Sequence, residues 1–227
     1  MTSPPAHSHG APPPTTPPAH HVSARSLLAT LATAGAVAGL LIVVVFGWAA
    51  PIIEHNKALA LQAAIREVLK QPADCDTLYL VGGRLTAEVP ADADLKRLER
   101  VYLGYDEQRR PVGFAIAAGE PGFSDIVRVI FGYDPATKQL LGMKVIESKE
   151  TPGLGDKIEK DSSFVRQFRS ALTPLVGVKP ERRNPEDRHQ VDMITGATIS
   201  SRVVIRTINN ALARLGPVLD GYSAEGK

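Results

Sequence analysis

IVRVIFGYDPATKQLLGMKVIES, residues 126–148, is the stretch that decides the fold. Two runs rich in β-branched and aromatic residues, 126–133 and 140–148, flank Asp134-Pro135-Ala136-Thr137-Lys138, whose Asp and Pro favour a tight connection. The pattern predicts a β-hairpin. Residues 84–89, 100–105 and 112–117 have the same character, so five strands are expected, mostly antiparallel because short turns join them. Downstream the period changes. Phe164, Phe168 and Leu172 recur at helical spacing and predict a helix over 162–173. Residues 174–190 carry Pro174, Pro180 and Pro185 and are expected to form a surface loop. Val203, Val204, Thr207, Ile208, Ala211, Leu212 and Leu215 then mark one face of a helix over 200–215, stopped by Gly216-Pro217. Strands followed by helices indicate an α+β domain.

Upstream the chain changes character. Of its 227 residues, 44% are hydrophobic and 22% charged, enough for one ordinary domain plus extra segments. Residues 27–50 contain no charged side chain. As a helix they rise about 36 Å, more than a hydrocarbon core of roughly 30 Å, so a single N-terminal transmembrane helix is expected. The run is longer than a signal-peptide core, and only Arg25 precedes it as a cation. Pro51 is expected to kink or break the helix. Leu61, Ile65, Val68 and Leu69 then predict an amphipathic connecting helix within 51–72. Residues 1–26, rich in Pro, His, Ser and Thr, are expected to be a disordered tail, and the irregular spacing of His7, His9, His20 and His21 argues for solvation over metal binding. The remaining residues, 73–223, make up the domain.

Charge excludes one class of partner. With 26 Lys and Arg, only Arg25 of them before residue 50, against 24 Asp and Glu, the domain is nearly neutral and offers no electrostatic case for nucleic acid. Cys75 is the only cysteine, so no intrachain disulfide can form.

Two motifs carry chemistry. Asp192-Met193-Ile194-Thr195-Gly196-Ala197-Thr198-Ile199-Ser200-Ser201 lies directly before the last helix, with four hydroxyls crowding its start. A hydroxyl there can serve as a helix N-cap, worth about 1 kcal/mol. The same free N–H groups and positive dipole end can also hold a phosphate, with Gly196 and Ala197 small enough for a ligand to approach. Spacing alone leaves both open. The second motif, Glu150-Thr151-Pro152-Gly153-Leu154-Gly155-Asp156-Lys157-Ile158, is either a plain turn or a loop that holds a flat ring. Neither a dinucleotide fingerprint nor a phosphate-binding P-loop is present, so nucleotide hydrolysis has no support.

Taken together, the apolar run, residues 151–155 and residues 192–198 resemble the FMN-binding domain of the G subunit of the Rnf electron-transport complex and of the C subunit of the sodium-translocating NADH:quinone reductase, with length and the 150–158 run closer to the former. The resemblance implies an electron-transfer flavoprotein subunit of a bacterial ion-translocating ferredoxin/NADH oxidoreductase, a redox relay rather than a complete enzyme. It implies FMN attached through its phosphate to Thr198, installed by a flavin transferase that uses FAD and releases AMP. Asp192 and Thr195 would then act in recognition, Gly196 and Ala197 would give room, and Ser200 would lie beside the phosphodiester. Thr151, Gly153 and Leu154 would contact the isoalloxazine, and of the other cofactor-binding candidates Lys157 is either a cation that favours a reduced anionic ring or a solvated loop lysine, and Glu150 either part of the site or an ordinary exposed carboxylate. Implied partners are the other membrane and peripheral subunits of the complex. The implied location is the bacterial inner membrane with the domain extracytoplasmic, although Lys57, Arg66 and Lys70 weigh against that orientation. The family commonly has a glycine where this chain has Asp125, in Gly122-Phe123-Ser124-Asp125. The alternatives are a quinone-reductase C subunit or an anchored, cofactor-free assembly subunit. His189 reads as an ordinary surface histidine.

Overall fold

The computed structural model describes residues 23–89, 94 and 98–222. Most of the predicted tail and the end of the predicted domain, Ser223, lie outside the described residues. Contacts divide the chain into residues 1–54 and 55–227. The first unit holds most of a 45-residue helix, α1 (Ala24–Val68), whose large apolar side chains from Leu27 to Ile53 are exposed. It is long and apolar enough to cross a membrane. Of the kink or break expected at Pro51, the break is absent, because a proline removes only its own N–H bond and the turns before and after it continue the helix.

The second unit is α+β, as expected. A six-stranded antiparallel sheet runs β2-β1-β3-β4-β5-β6 across its width. The strands are β1 (Asp74–Val81), β2 (Arg84–Thr86), β3 (Arg100–Tyr105), β4 (Pro111–Pro121), β5 (Ile126–Asp134) and β6 (Gln139–Glu147). The hairpin of residues 126–148 forms as read, with Phe131 opposite Met143 and Asp134 opposite Gln139. Asp134 Oδ1 accepts from Ala136 N at 3.0 Å and Oδ2 from Thr137 Oγ1 at 2.6 Å, which closes the turn. Alternation then sorts the faces. Val127, Val129, Phe131 and Tyr133 point to the main core beneath the C-terminal helix, α4 (Thr198–Asp220). Ile130 and Ala115 point to the other face, where Ala64, Ile65 and Val68 at the end of α1 cover them together with the next residue, Leu69.

Four sequence expectations are corrected. β1 was not anticipated, because Asp74 and Asp76 interrupt its apolar pattern and only Leu78 is buried. The helix expected over 162–173 ends early, as α3 (Ser162–Gln167), following the single turn α2 (Lys157–Lys160). Its second half instead docks on the sheet edge: Ser170 N donates to Leu140 O at 2.7 Å, Leu140 N to Ala171 O at 2.9 Å, and Leu172 bridges Gln139. Edge pairing there overrides helical spacing. The expected loop 174–190 contains β7 (Val176–Val178), which pairs in parallel with β8 (Gln190–Asp192), and a 3-10 turn at Pro180–Arg182. α4 continues through Gly216 and Pro217 to Asp220, because Leu215 and Leu219 are buried on the core face.

Candidate functional site

The two motifs meet at one carboxylate. Glu150 is 6% exposed, and Oε1 accepts from Phe123 N at 2.9 Å and Ser124 N at 3.0 Å, while Oε2 accepts from Ser200 Oγ at 2.6 Å. Three segments distant in sequence are thereby joined: the turn at 122–125 between β4 and β5, the glycine loop after β6, and the start of α4. Two glycines make the approach possible. A Cβ on Gly122 would collide with Glu150 Oε1, and one on Gly155 would lie 2.7 Å from Glu150 Cβ and 2.8 Å from Oε2. Burial pushes the Glu150 carboxyl up, but the hydrogen bonds from Ser200, Ser124 and Phe123 outweigh it and hold the group below its ordinary value of 4.5. Glu150 is therefore a buried, ionised clamp rather than a loop carboxylate.

Around the clamp the surface is open and apolar. Phe123, Leu154 and Ile199 are 69%, 51% and 52% exposed, one from each joined segment. Gly153 has φ +78, and a Cβ added there would meet nothing within 4 Å, so its backbone needs glycine while the space beside it stays free. Gly196 has φ +83, and a Cβ there would stand 4.0 Å from Leu154 Cδ2, which places the glycine loop beside the second motif. Thr151 O accepts from Leu154 N at 3.2 Å, which closes the Thr151–Leu154 turn. Phe123 was not singled out from sequence; an exposed aromatic after a glycine is visible there, but its position beside Glu150 is not.

The hydroxyls at the start of α4 have unequal roles. Ser200 is buried and donates to Glu150. Ser201 is buried, donates to Ala197 O at 2.9 Å and accepts from Ile194 N at 3.1 Å. Thr195 is exposed, and Thr198, half-buried as the first helical residue, makes no hydrogen bond through its side chain among the described residues. The N-cap is Ala197, with no side-chain cap, so a hydroxyl N-cap is absent and the first N–H groups of α4 keep their donors. Thr198, Gly196 and a set of free amides thus occupy one accessible corner. That donor set, with the open flank at Gly153, fits a phosphate carrying a flat ring.

The remaining predicted residues are held by contacts of their own. Asp192 faces away from it: Oδ2 pairs with Arg183 Nη1 at 2.7 Å, its N–H donates to Gln167 Oε1 at 2.7 Å, and its carbonyl accepts from Gln167 Nε2 at 3.3 Å. The motif is thereby tied to α3 and to the segment following β7. Lys157 opens α2, and its charge helps hold Asp161 below the ordinary carboxylate range, after the larger effect of the Ser163 hydroxyl. Asp125, where the family pattern has glycine, turns outward to Lys149 at 2.9 Å and leaves its turn closed through Gly122 N to Asp125 O at 2.8 Å. His189 is structural, with Nδ1 2.9 Å from Pro174 O. A cavity of about 510 Å³ opens elsewhere, lined by Leu103, Phe114, Leu219 and Tyr222 near the other end of α4. At 1.5 Å per residue that end lies roughly 30 Å from Thr198, so the cavity is not part of this corner.

Comparison with known proteins bears on the same residues. The FMN-binding domain family matches residues 122–213, which begin at the Gly122 turn and include both motifs. The G subunit of the ion-translocating oxidoreductase complex of Yersinia pestis is 33% identical over 164 residues, covering 70% of this chain and 74% of that protein. Its counterpart in Haemophilus influenzae is 30% identical over 132 residues, 57% of this chain and 63% of that protein. Among solved structures, NqrC of Shewanella oneidensis aligns with a TM-score of 0.60 at 15% identity, covering 74% of this chain and 100% of that one. The C subunit of the Na(+)-translocating NADH-quinone reductase of Parabacteroides distasonis gives 0.53 at 21%, covering 67% and 80%. At these identities the two structures share the fold.

Proposed function

The chain belongs to the family of G subunits of the ion-translocating oxidoreductase complex, and from that premise we propose that it relays electrons through an FMN bonded by its phosphate to Thr198. The observation that carries the reading is the division of hydroxyls at α4: Ser200 and Ser201 are buried and bonded, whereas Thr198 is half-buried and uncommitted at the first turn. When bound, FMN supplies reversible acceptance and donation of electrons. The protein supplies position. Free N–H groups and the positive end of α4 stabilise the phosphodiester charge. Thr151, Gly153 and Leu154 flank the ring's place, and Phe123 and Ile199 add apolar walls that exclude water.

Attachment needs an external donor, and FAD presented by a flavin transferase balances the step. The Thr198 Oγ1–phosphorus bond forms, the pyrophosphate bridge breaks, AMP leaves, and the hydroxyl proton passes to solvent. Thr195, exposed beside Gly196, is available for recognition by that enzyme, whereas Asp192, bonded to Arg183 and Gln167, would act by holding the motif in place. Lys157 would act on the ring electrostatically only. In this reading α1 anchors the chain in the bacterial inner membrane, the domain is extracytoplasmic, and the partners are the other subunits of the complex. The test is in-gel flavin fluorescence of denatured protein coexpressed with the transferase. Wild type should fluoresce and Thr198→Ala should not, with Ser201→Ala like wild type. A fluorescent Thr198→Ala band would refute the attachment.

A further inference from the structure

α4 begins without the charges that usually complete a helix start. Its first turn contains no acidic residue and Ala197 provides no side-chain cap. Negative charge is favoured at that end and positive charge disfavoured. Yet Arg202 lies one turn in, exposed, and forms no hydrogen bond or ion pair among the described residues. Other arginines exposed on the same helix are engaged: Arg206 Nη2 donates to Pro121 O at 2.9 Å and Nε lies 3.4 Å from Glu120 Oε2, and Arg214 pairs with Glu99. Arg202 is the cation left unmatched, and it stands where an anion is missing.

Helical phase places it against Thr198. At about 100° per residue, positions 198 and 202 are separated by about 40° on the helix surface and are neighbours along it. Ser200 is about 200° from Thr198, so the Glu150 carboxylate it binds lies on the opposite flank. That carboxylate is already satisfied by three donors and cannot serve as the Arg202 partner. We infer that Arg202 is a positioning residue that binds the phosphodiester formed on Thr198, its planar guanidinium engaging two phosphate oxygens while the first amides of α4 bind from below. The role assigned to Arg202 rests on the flavin being attached at Thr198. It goes beyond that attachment because it gives the phosphate a second, side-chain contact that limits the swing of the tethered ring.

The experiment compares the full chain, flavinylated and unflavinylated, as wild type, Arg202→Gln and Arg202→Lys, by thermal unfolding and by 31P NMR of the flavinylated forms. Without flavin, Arg202→Gln should leave the unfolding midpoint unchanged or raise it, since it removes a cation from a positive helix end. With flavin it should lower the midpoint, and it should shift and narrow the phosphodiester resonance as the group gains freedom. Arg202→Lys should fall between, because an ammonium keeps the charge but not the paired contact. The same midpoint change in both forms, or a 31P resonance unaltered in Arg202→Gln, would overturn the role. Peptide mapping separates the two possible failures. Flavin at Thr198 with no coupling to Arg202 defeats the clamp alone, whereas flavin on another residue defeats the attachment and the clamp together.

Discussion

Replacing Glu150 by Ala removes the acceptor of three donors in one step. The Ser200 hydroxyl, in a residue 3% exposed, would be stranded from water, which costs about 1–3 kcal/mol. The Phe123 and Ser124 amides lie on an exposed turn and can rehydrate, so each loses only the net value of a bond to a charged acceptor, at the low end of about 1.5–3 kcal/mol. A loss of about 4–6 kcal/mol is expected, a large share of the roughly 5–15 kcal/mol that holds a domain folded. Glu150→Gln keeps one oxygen for the two amides and should cost about 1–2 kcal/mol. Pulse proteolysis of the full chain across a urea gradient reads both values, and in-gel fluorescence reads whether flavin attachment falls with them. The pH dependence follows from the depressed carboxyl. A folded-state value below 4.5 contributes stability that is complete above the unfolded value and is lost as pH falls through the folded one. The gap between wild type and Glu150→Gln should therefore be constant from about pH 7 to about 5 and shrink below about 4.5. Glu150→Ala within about 1 kcal/mol of wild type would refute the clamp.

Gly153→Val forces a β-branched residue to φ +78 at a cost of about 1–2 kcal/mol, and it should slow flavin reduction while the flavin stays attached; stopped-flow absorbance of the loaded protein checks this. Gly155→Ala acts differently, because its methyl would sit 2.7 Å from Glu150 Cβ, so stability should fall by about 1–3 kcal/mol and attachment with it; the same urea gradient and in-gel fluorescence read both. Protease added to intact spheroplasts should digest the domain; protection until lysis would reverse the proposed orientation.

Much of the scaffold was legible because its signals are local. Residues 126–148 carry strand chemistry on both sides of a proline turn, and the face of α4 is written in Val203, Val204, Ile208 and Leu215. The losses came where pairing partners decide. β1 has acids at positions 74 and 76 and exists because β2 and β3 flank it, and residues 170–172 leave the helical pattern to bond Gln139 and Leu140. The site was legible as two motifs and not as a geometry. Nothing local marks Glu150 as buried, since its three donors come from residues 123, 124 and 200. The sorting of hydroxyls was within reach: extending the core face of α4 backwards places positions 200 and 201 inside, with 198 and 202 outside.

The most direct measurement is mass spectrometry of the full wild-type chain coexpressed with a flavin transferase, first intact and then as peptides. The expected result is a gain of one FMN less water, carried on the peptide at Thr198. An unmodified chain under those conditions, or a flavin mapped to Thr195 or to any other hydroxyl, would contradict it.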